Sequence, residues 1–406
     1  MTSSKPTNFP FSLDDFSKIS RLCSLCSRMC RHSCPTHLAT GSDACSPVGR
    51  ALIIELYRGQ KSALTEAAVD RLYQCNLCGA CKAWCKPRHE LPLIIELARE
   101  HVVKEHRAPH GTLELDQSVT AHSNVYGEPH NTRFALLKDA LKEAATNAKI
   151  AYFVGCTTAY RHPEIALATH QVLRALNLDY AFLSGSESEV CCGSPLIRAG
   201  FIRTAKSLAQ QNVEAIVQSN ARTIITTCPG CARALREDYP RLGVSLPKKV
   251  RVFHISEFLV RYKNKLVPLL SKFHTKKQRL LTYHDPCHLG RELGIYEQPR
   301  RLLHFIPSTQ LKEFPHTRDK ADCCGGGGAL VKTFPLLAKE ITQQRLEDTA
   351  ALAVDMLVSA CPNCKLHFTD VHSKNASGGF EILDLMELLS SALKAPVKGR
   401  GTRVIR

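Results

Sequence analysis

One cysteine figure occurs twice in this chain, and the repetition limits the folds open to it. Cys156, Cys191-Cys192-Gly193 and Cys228-Pro229-Gly230-Cys231 make the first copy; Cys287, Cys323-Cys324-Gly325 and Cys361-Pro362-Asn363-Cys364 make the second. The lone cysteine precedes the pair by 34 intervening residues in one copy and 35 in the other, and the closing CxxC follows after 35 and 36. Corresponding cysteines are offset by 131 to 133 positions. Such self-similarity calls for two like structural units. Neighbouring cysteines cannot easily join each other, but both can face one metal-containing body. The glycines behind each pair, above all Gly325 to Gly328, lack Cβ, so the backbone can approach a ligand there and offer N–H groups to electron-rich atoms such as sulfide.

The 406 residues suffice for two or three domains. No run approaches the roughly 18 apolar residues that span a bilayer, and the polar start lacks a signal-peptide core. A cytoplasmic protein is expected, any membrane contact being peripheral, at the inner face and through a partner. Nineteen cysteines in that setting point to metal rather than disulfides. Eighteen fall in motifs; Cys45 stands apart and reads as a small buried residue. The formal charge of +17 and the basic tail from Lys394 to Arg406 suggest an anionic surface. Thiolate-held clusters would offset that charge, and no aromatic ladder accompanies it, so nucleic acid is not the expected partner.

Residues 1–21 read as a flexible lead-in from which Phe9, Phe11 and Phe16 could dock. Then Cys23, Cys26, Cys30 and Cys34, with Pro35 after them, resemble the bacterial ferredoxin run. Ser27-Arg28-Met29 supplies three residues where two are usual, so this loop must bulge. Cys75, Cys78, Cys81 and Cys85 have the ferredoxin spacing, with Lys86 inserted before Pro87. Two runs imply two [4Fe-4S] cubanes. By ferredoxin logic the fourth cysteine crosses over, giving Cys23, Cys26 and Cys30 with Cys85, and Cys75, Cys78 and Cys81 with Cys34. A zinc knuckle is the competing reading, disfavoured because zinc ribbons seldom string four cysteines so closely and then repeat them. Trp84 either screens a cluster or simply fills core. Helices are expected over Pro47–Arg58 and Leu91–His106, making 22–107 a small α-helical ferredoxin-type domain. Residues 108–147 read as a linker plus a helix, Phe134 to Ala145.

From Lys149 the pattern becomes βαβ-like. Strands are expected at Ile150–Val154, Tyr180–Leu183, Thr223–Thr227, Leu280–Tyr283 and Met356–Ser359, with a helix over Pro163–Leu176. Each motif thiol then sits just past a strand, where open α/β sheets bind ligands. A cysteine at a helix N-terminus also has its thiolate favoured. His162, His284 and His288 flank the cysteines as extra ligands, proton donors or plain loop hydrogen-bonders. The expected architecture is α+β multidomain: the helical two-cluster domain, then duplicated α/β domains at 148–277 and 278–390, then a basic tail at 391–406.

These paired five-cysteine sets resemble the CCG-domain family, which includes the catalytic subunit of heterodisulfide reductase, the iron–sulfur subunit of glycolate oxidase and the third subunit of anaerobic glycerol-3-phosphate dehydrogenase. The domain order is similar to the fused, D-type heterodisulfide reductase subunit over roughly residues 20 to 390, and Ser46-Pro47-Val48-Gly49-Arg50 resembles that family's Gly-Pro-Arg-Gly-Arg. The resemblance implies a non-cubane [4Fe-4S] cluster for each complete set, so one or two beyond the cubanes, held by Cys156, Cys191, Cys192, Cys228 and Cys231 and by Cys287, Cys323, Cys324, Cys361 and Cys364. The glycolate oxidase branch tends to lose one cysteine of the closing pair. Both pairs are kept here, which implies disulfide-reductase-like, catalytic sites. No flavin or nicotinamide fingerprint occurs, since Gly325 to Gly328 lacks the GxGxxG context. A flavoprotein dehydrogenase or electron-transfer flavoprotein is therefore the expected partner, and a disulfide, a quinone, a carrier or a membrane-bound component the acceptor. Two alternatives stand beside this: a non-catalytic relay subunit of a 2-hydroxy-acid, glycerol-phosphate or methylated-amine dehydrogenase, and a zinc-stabilised structural protein.

Overall fold

The computed structural model describes residues 12–27, 29–60, 64–183, 189–271, 278–375 and 379–394. Phe9, Phe11, Arg28 in the expected bulge, and the tail from residue 395 lie outside them.

The N-terminal part is helical, and two of its helices start on side-chain caps. Helix α1 spans Ser17–Ser24 and α2 Pro35–Thr40. Helix α3, Pro47–Arg58, has Pro at its first turn and Ser46 accepting from the Gly49 amide at 3.1 Å. Thr65 caps α4, Glu66–Tyr73, in the same way through Ala68. The short α5, Ala80–Trp84, and the long α6, Leu91–Lys104, complete the group. Within 108–147 the structure adds a helix that local pattern did not suggest, α7 at His110–His122, while the Phe134 to Ala145 segment divides into a 3-10 turn, Ala135–Leu137, and a short helix, Lys138–Glu143.

Two sheets follow, each of four parallel strands. The first contains β1 (Ile150–Tyr152), β2 (Ala181–Phe182), β3 (Thr223–Thr226) and β4 (Arg251–His254) in the order β2-β1-β3-β4. The second contains β5 (Arg279–His284), β6 (Thr309–Leu311), β7 (Met356–Ser359) and β8 (Glu381–Asp384) in the equivalent order β6-β5-β7-β8. All strands pair in parallel, with Ala151 opposite Ile224 and Thr282 opposite Leu357. Strands buried on both faces need near-continuous apolar runs, which Met356, Leu357 and Val358 supply at full burial.

The two sheets share one core. Tyr152, Val154 and Ile225 of the first lie in the same apolar cluster as Tyr283, Met356 and Val358 of the second. Each such side chain contributes roughly 1.5–3 kcal/mol relative to exposure. The helix Pro163–Ala175 packs on Leu385–Lys394, and buried Lys365 joins Glu164 and Glu387 at 2.8 and 2.7 Å. No helix among the described residues is long and apolar enough to cross a membrane.

Candidate functional site

In each sheet the order of strand addition reverses between the first and third strands of its repeat, and the motif cysteines stand at those strand ends. Cys156 begins the helix Cys156–Tyr160 just past β1, and Cys228 caps the helix Pro229–Arg233 just past β3. Cys287 follows β5, and Cys361 lies between β7 and the helix Pro362–Asn375. Gly155 is at φ +80°, and a Cβ there would lie 3.0 Å from Cys231 Sγ, so only glycine lets this turn close on the thiols.

The second cysteine of each adjacent pair is the centre of its set. Cys192 accepts hydrogen bonds from Cys191 and Cys231, which bring its thiol down to about 6 despite burial. Cys324 accepts from Cys323 and from Cys364, whose sulfur is 3.2 Å away, and is likewise held well below the ordinary range. The remaining contacts differ. Cys191 is bonded by Cys156 of its own repeat. Cys323 instead bonds Cys78 in the N-terminal part, bringing that thiol down to about 6.

Both sets open onto one cavity of about 480 Å³, lined from the first by Cys156, Cys191, Cys192, Cys228 and Cys231 and from the second by Cys287, Cys324, Cys361 and Cys364. Gly326 to Gly328 border it, but the tight approaches that exclude a Cβ are to protein. Gly326 lies against the His367 ring, Gly327 against the Asn76 carbonyl and Gly328 against that of Cys75. The glycine run thus seats the second N-terminal cysteine loop as well as bordering the cavity, and Asn76 Nδ2 donates to Gly325 O at 2.8 Å across the same seam.

The N-terminal cysteines line two further cavities. A cavity of about 100 Å³ is lined by Cys23, Cys26, Cys30 and Cys85, and a narrower one of about 20 Å³ by Cys34, Cys75 and Cys78, with Cys81 bordering both. Burial first, then the neighbouring thiols, pushes Cys23 up to about 12 and Cys30 up to about 11. Trp84 takes no part in the thiol sets' hydrogen bonds: it stacks edge-on with His32 at 4.5 Å, beneath the Lys320 ammonium. Cys45 is fully buried and donates to Gln74 Oε1 at 3.2 Å.

The cysteine-rich CCG domain family matches residues 150–236 and 281–369. The D-type subunit of a dihydromethanophenazine:CoB–CoM heterodisulfide reductase from Methanosarcina acetivorans is 33% identical over 93% of this chain and 94% of its own length. The chain belongs to the CCG family of iron–sulfur oxidoreductases. A subunit of a CoM/CoB fumarate reductase from Methanothermobacter marburgensis is 32% identical over 80% of this chain and 62% of its own length. An EtfAB:quinone oxidoreductase from Syntrophomonas wolfei is 28% identical over 80% and 47%.

The donor sets of this CCG protein fit anionic thiolate-held groups. All 19 cysteines are free thiols. Buried Arg50 places Nη1 3.7 Å from Cys34 Sγ, and its other partners, Thr36 and the Arg71 carbonyl, are neutral. Arg291 bonds the carbonyls of Cys78, Asp319 and Ala321, and its buried Nη2 has no partner. Arg133 sits 3.7 Å from Cys156 Sγ; burial disfavours its charge, but Glu189, which also accepts from the Val154 and Gly155 amides, holds it protonated. His89 Nδ1 is 3.5 Å from Cys23 Sγ.

Of the three histidines singled out by sequence, His162 bonds Glu164 rather than a thiol. His284 faces Cys324 and Cys364, and the three donor atoms lie within 4.8 Å of one another. His288 lines the shared cavity and reaches towards Gly230 of the first repeat. His367 also lines it and was missed. Aligning the repeats by their cysteine offsets would have exposed it, because His284, His288 and His367 stand where the first repeat has Phe153, Thr157 and Ala234. No local signal marks Arg133 or Arg291.

Proposed function

We propose that this chain is an iron–sulfur electron-transfer subunit that passes electrons between a flavoprotein partner and an acceptor admitted to the shared cavity, with a disulfide as the favoured substrate. In this reading 22–107 is a ferredoxin-type domain in which Cys23, Cys26, Cys30 and Cys85 hold one [4Fe-4S] cubane and Cys34, Cys75, Cys78 and Cys81 another. The domains at 148–277 and 278–390 would each hold a non-cubane cluster through their five cysteines. Bound clusters supply one-electron steps at thiolate-ligated iron. The protein's own part is to bury the thiols, balance their charge with Arg50, Arg133 and Arg291, and exclude water behind Leu115 and Val125 at the cavity wall.

The observation that carries the reading is that two five-thiol sets open on one cavity, one of them in hydrogen-bond contact with Cys78. A site for a two-electron substrate that is fed one electron at a time calls for that arrangement. Five thiols per repeat also exceed the four a tetrahedral zinc accepts. The test is iron and sulfide analysis of anaerobic protein, EPR, and a disulfide-reductase assay. Clusters with disulfide turnover support the reading, whereas clusters without turnover leave the chain as a relay for a dehydrogenase. The compact trio His284, Cys324 and Cys364 favours a second reading, a single zinc ion in the second repeat. Zinc with little sulfide would establish it.

A further inference from the structure

Helix α1 has two faces of different kinds. Phe16, Ile19, Ser20 and Cys23 turn inward. Outward lie Leu22, 49% exposed, and Leu25, 77% exposed, followed by Met29 at 76%. These three large apolar side chains fall within eight residues and flank Cys23, Cys26 and Cys30, of which Cys26 is itself exposed. An apolar group concentrated on one surface calls for a partner.

The charge on this stretch of chain is basic. No acidic residue occurs from Ser17 to Ser42. Arg31 is engaged by Asp43 and Arg88 by Asp319. Among the described residues, exposed Lys18 and Arg21 on α1 and Lys86 beside Cys85 make no salt bridge, and Glu55, the carboxylate whose field Arg21 feels, is itself bonded by Arg58. An apolar centre rimmed by unpaired cations, over a thiol set near the surface, has the form of a docking face for a negatively charged protein.

We propose that the outward face of α1, Leu25, Met29 and Lys86 receive an electron-carrier protein whose redox group is ringed by carboxylates. The proposal rests on the reading that Cys23, Cys26, Cys30 and Cys85 hold a cluster, and it names where the donor docks. Leu22, Leu25 and Met29 exclude water between the two redox groups, and Lys18, Arg21 and Lys86 steer the approach. In each encounter one electron leaves the reduced carrier and one is gained by the chain's nearest cluster.

The full chain, loaded anaerobically with iron and sulfide, is mixed in stopped flow with reduced flavodoxin, an acidic flavin carrier. The second-order rate is expected to fall about tenfold or more between low and high salt, and by a similar factor in the triple variant Lys18→Glu, Arg21→Glu, Lys86→Glu. Leu25→Asp should weaken the complex while keeping the salt dependence. Iron content and the amplitude of chemical reduction should stay at wild-type values, since all four side chains are exposed. A triple variant with full iron and an unchanged rate overturns the docking face alone. A wild-type chain that takes up no iron overturns the cluster reading beneath it. Binding to phosphatidylglycerol vesicles that is lost on the same charge reversals, and that competes with flavodoxin, would assign the face to a membrane and overturn the proposal.

Discussion

The two CCG repeats share strand order and a central thiol that accepts from two others, yet each leans on different neighbours. The thiols of the first bond within their own set: Cys191 bonds Cys156, and Arg133 of the preceding segment, with Glu189, braces the same loop. The second reaches outward. Cys323 turns to Cys78, the glycine run seats Cys75 and Asn76, and three histidines replace Phe153, Thr157 and Ala234. Duplication preserved the scaffold while the surroundings diverged, so that under the proposed function the second site would exchange electrons with the N-terminal thiols and the first would work across the cavity.

Cys324→Ser and Cys192→Ser remove the central thiol of each repeat and should have the largest effects. Each variant is expected to lose the iron and EPR signal of its own repeat. Only Cys324→Ser should also disturb the signals of the N-terminal clusters, through Cys323 and Cys78. If both variants disturb them equally, the asymmetry is lost.

Gly328→Ala attacks the seam specific to the second repeat, where the first has Leu196 at the matching offset. The added Cβ would lie 2.4 Å from the Cys75 carbonyl, at φ +63°. A loss of about 1–3 kcal/mol is expected in denaturant unfolding of the full chain.

His284→Phe makes the second site resemble the first. A hydrogen bond to a cysteine sulfur raises a cluster's potential, so the second-repeat signal should titrate at lower potential and approach that of the first. Redox titration followed by EPR checks this, and an unchanged potential would mean that His284 serves packing alone.

The smallest effects concern the residues that end β4 and β8. His254 caps the helix Ile255–Val260, and burial pulls its imidazole from 6.5 down to about 4. Its stability contribution is full above about pH 6.5 and drains away as pH falls toward 4. Asp384, whose Oδ1 accepts from the Met386 amide, is pushed by burial from 3.8 up to about 8, with Glu387 adding to the rise and Lys365 opposing it. Its contribution is full below 3.8 and is lost as pH rises toward 8. His254→Asn should flatten the acid limb of the stability profile and Asp384→Asn the opposite one, measured as denaturant midpoints against pH.

Much of this was legible in the amino acids. Pro47 and Gly59 bracket α3 as read, and Met356–Ser359 forms a strand as read, because caps and apolar runs act locally. Spacing also marked which thiols to group, a grouping that the proposed function carries forward. What escaped depended on distant chain segments meeting. Helix α7 carries only a weak apolar stripe and is buried by its neighbours at Thr112, Leu115 and Val119. The glycine run was read as a ligand cradle, but its close contacts are to Cys75, Asn76 and His367, which no local pattern reveals.

Arg99, fully buried on α6, directs all five of its N–H donors at main-chain oxygens: Leu72 and Cys75 of the N-terminal part, Arg198 of the first repeat and Gly328 of the second, at 2.6 to 3.1 Å. One guanidinium therefore rivets three segments at a single point. Segments pinned in this way cannot swing against one another at that point, so redox groups held on them would stay at fixed separations and the traffic between them would be electronic rather than mechanical.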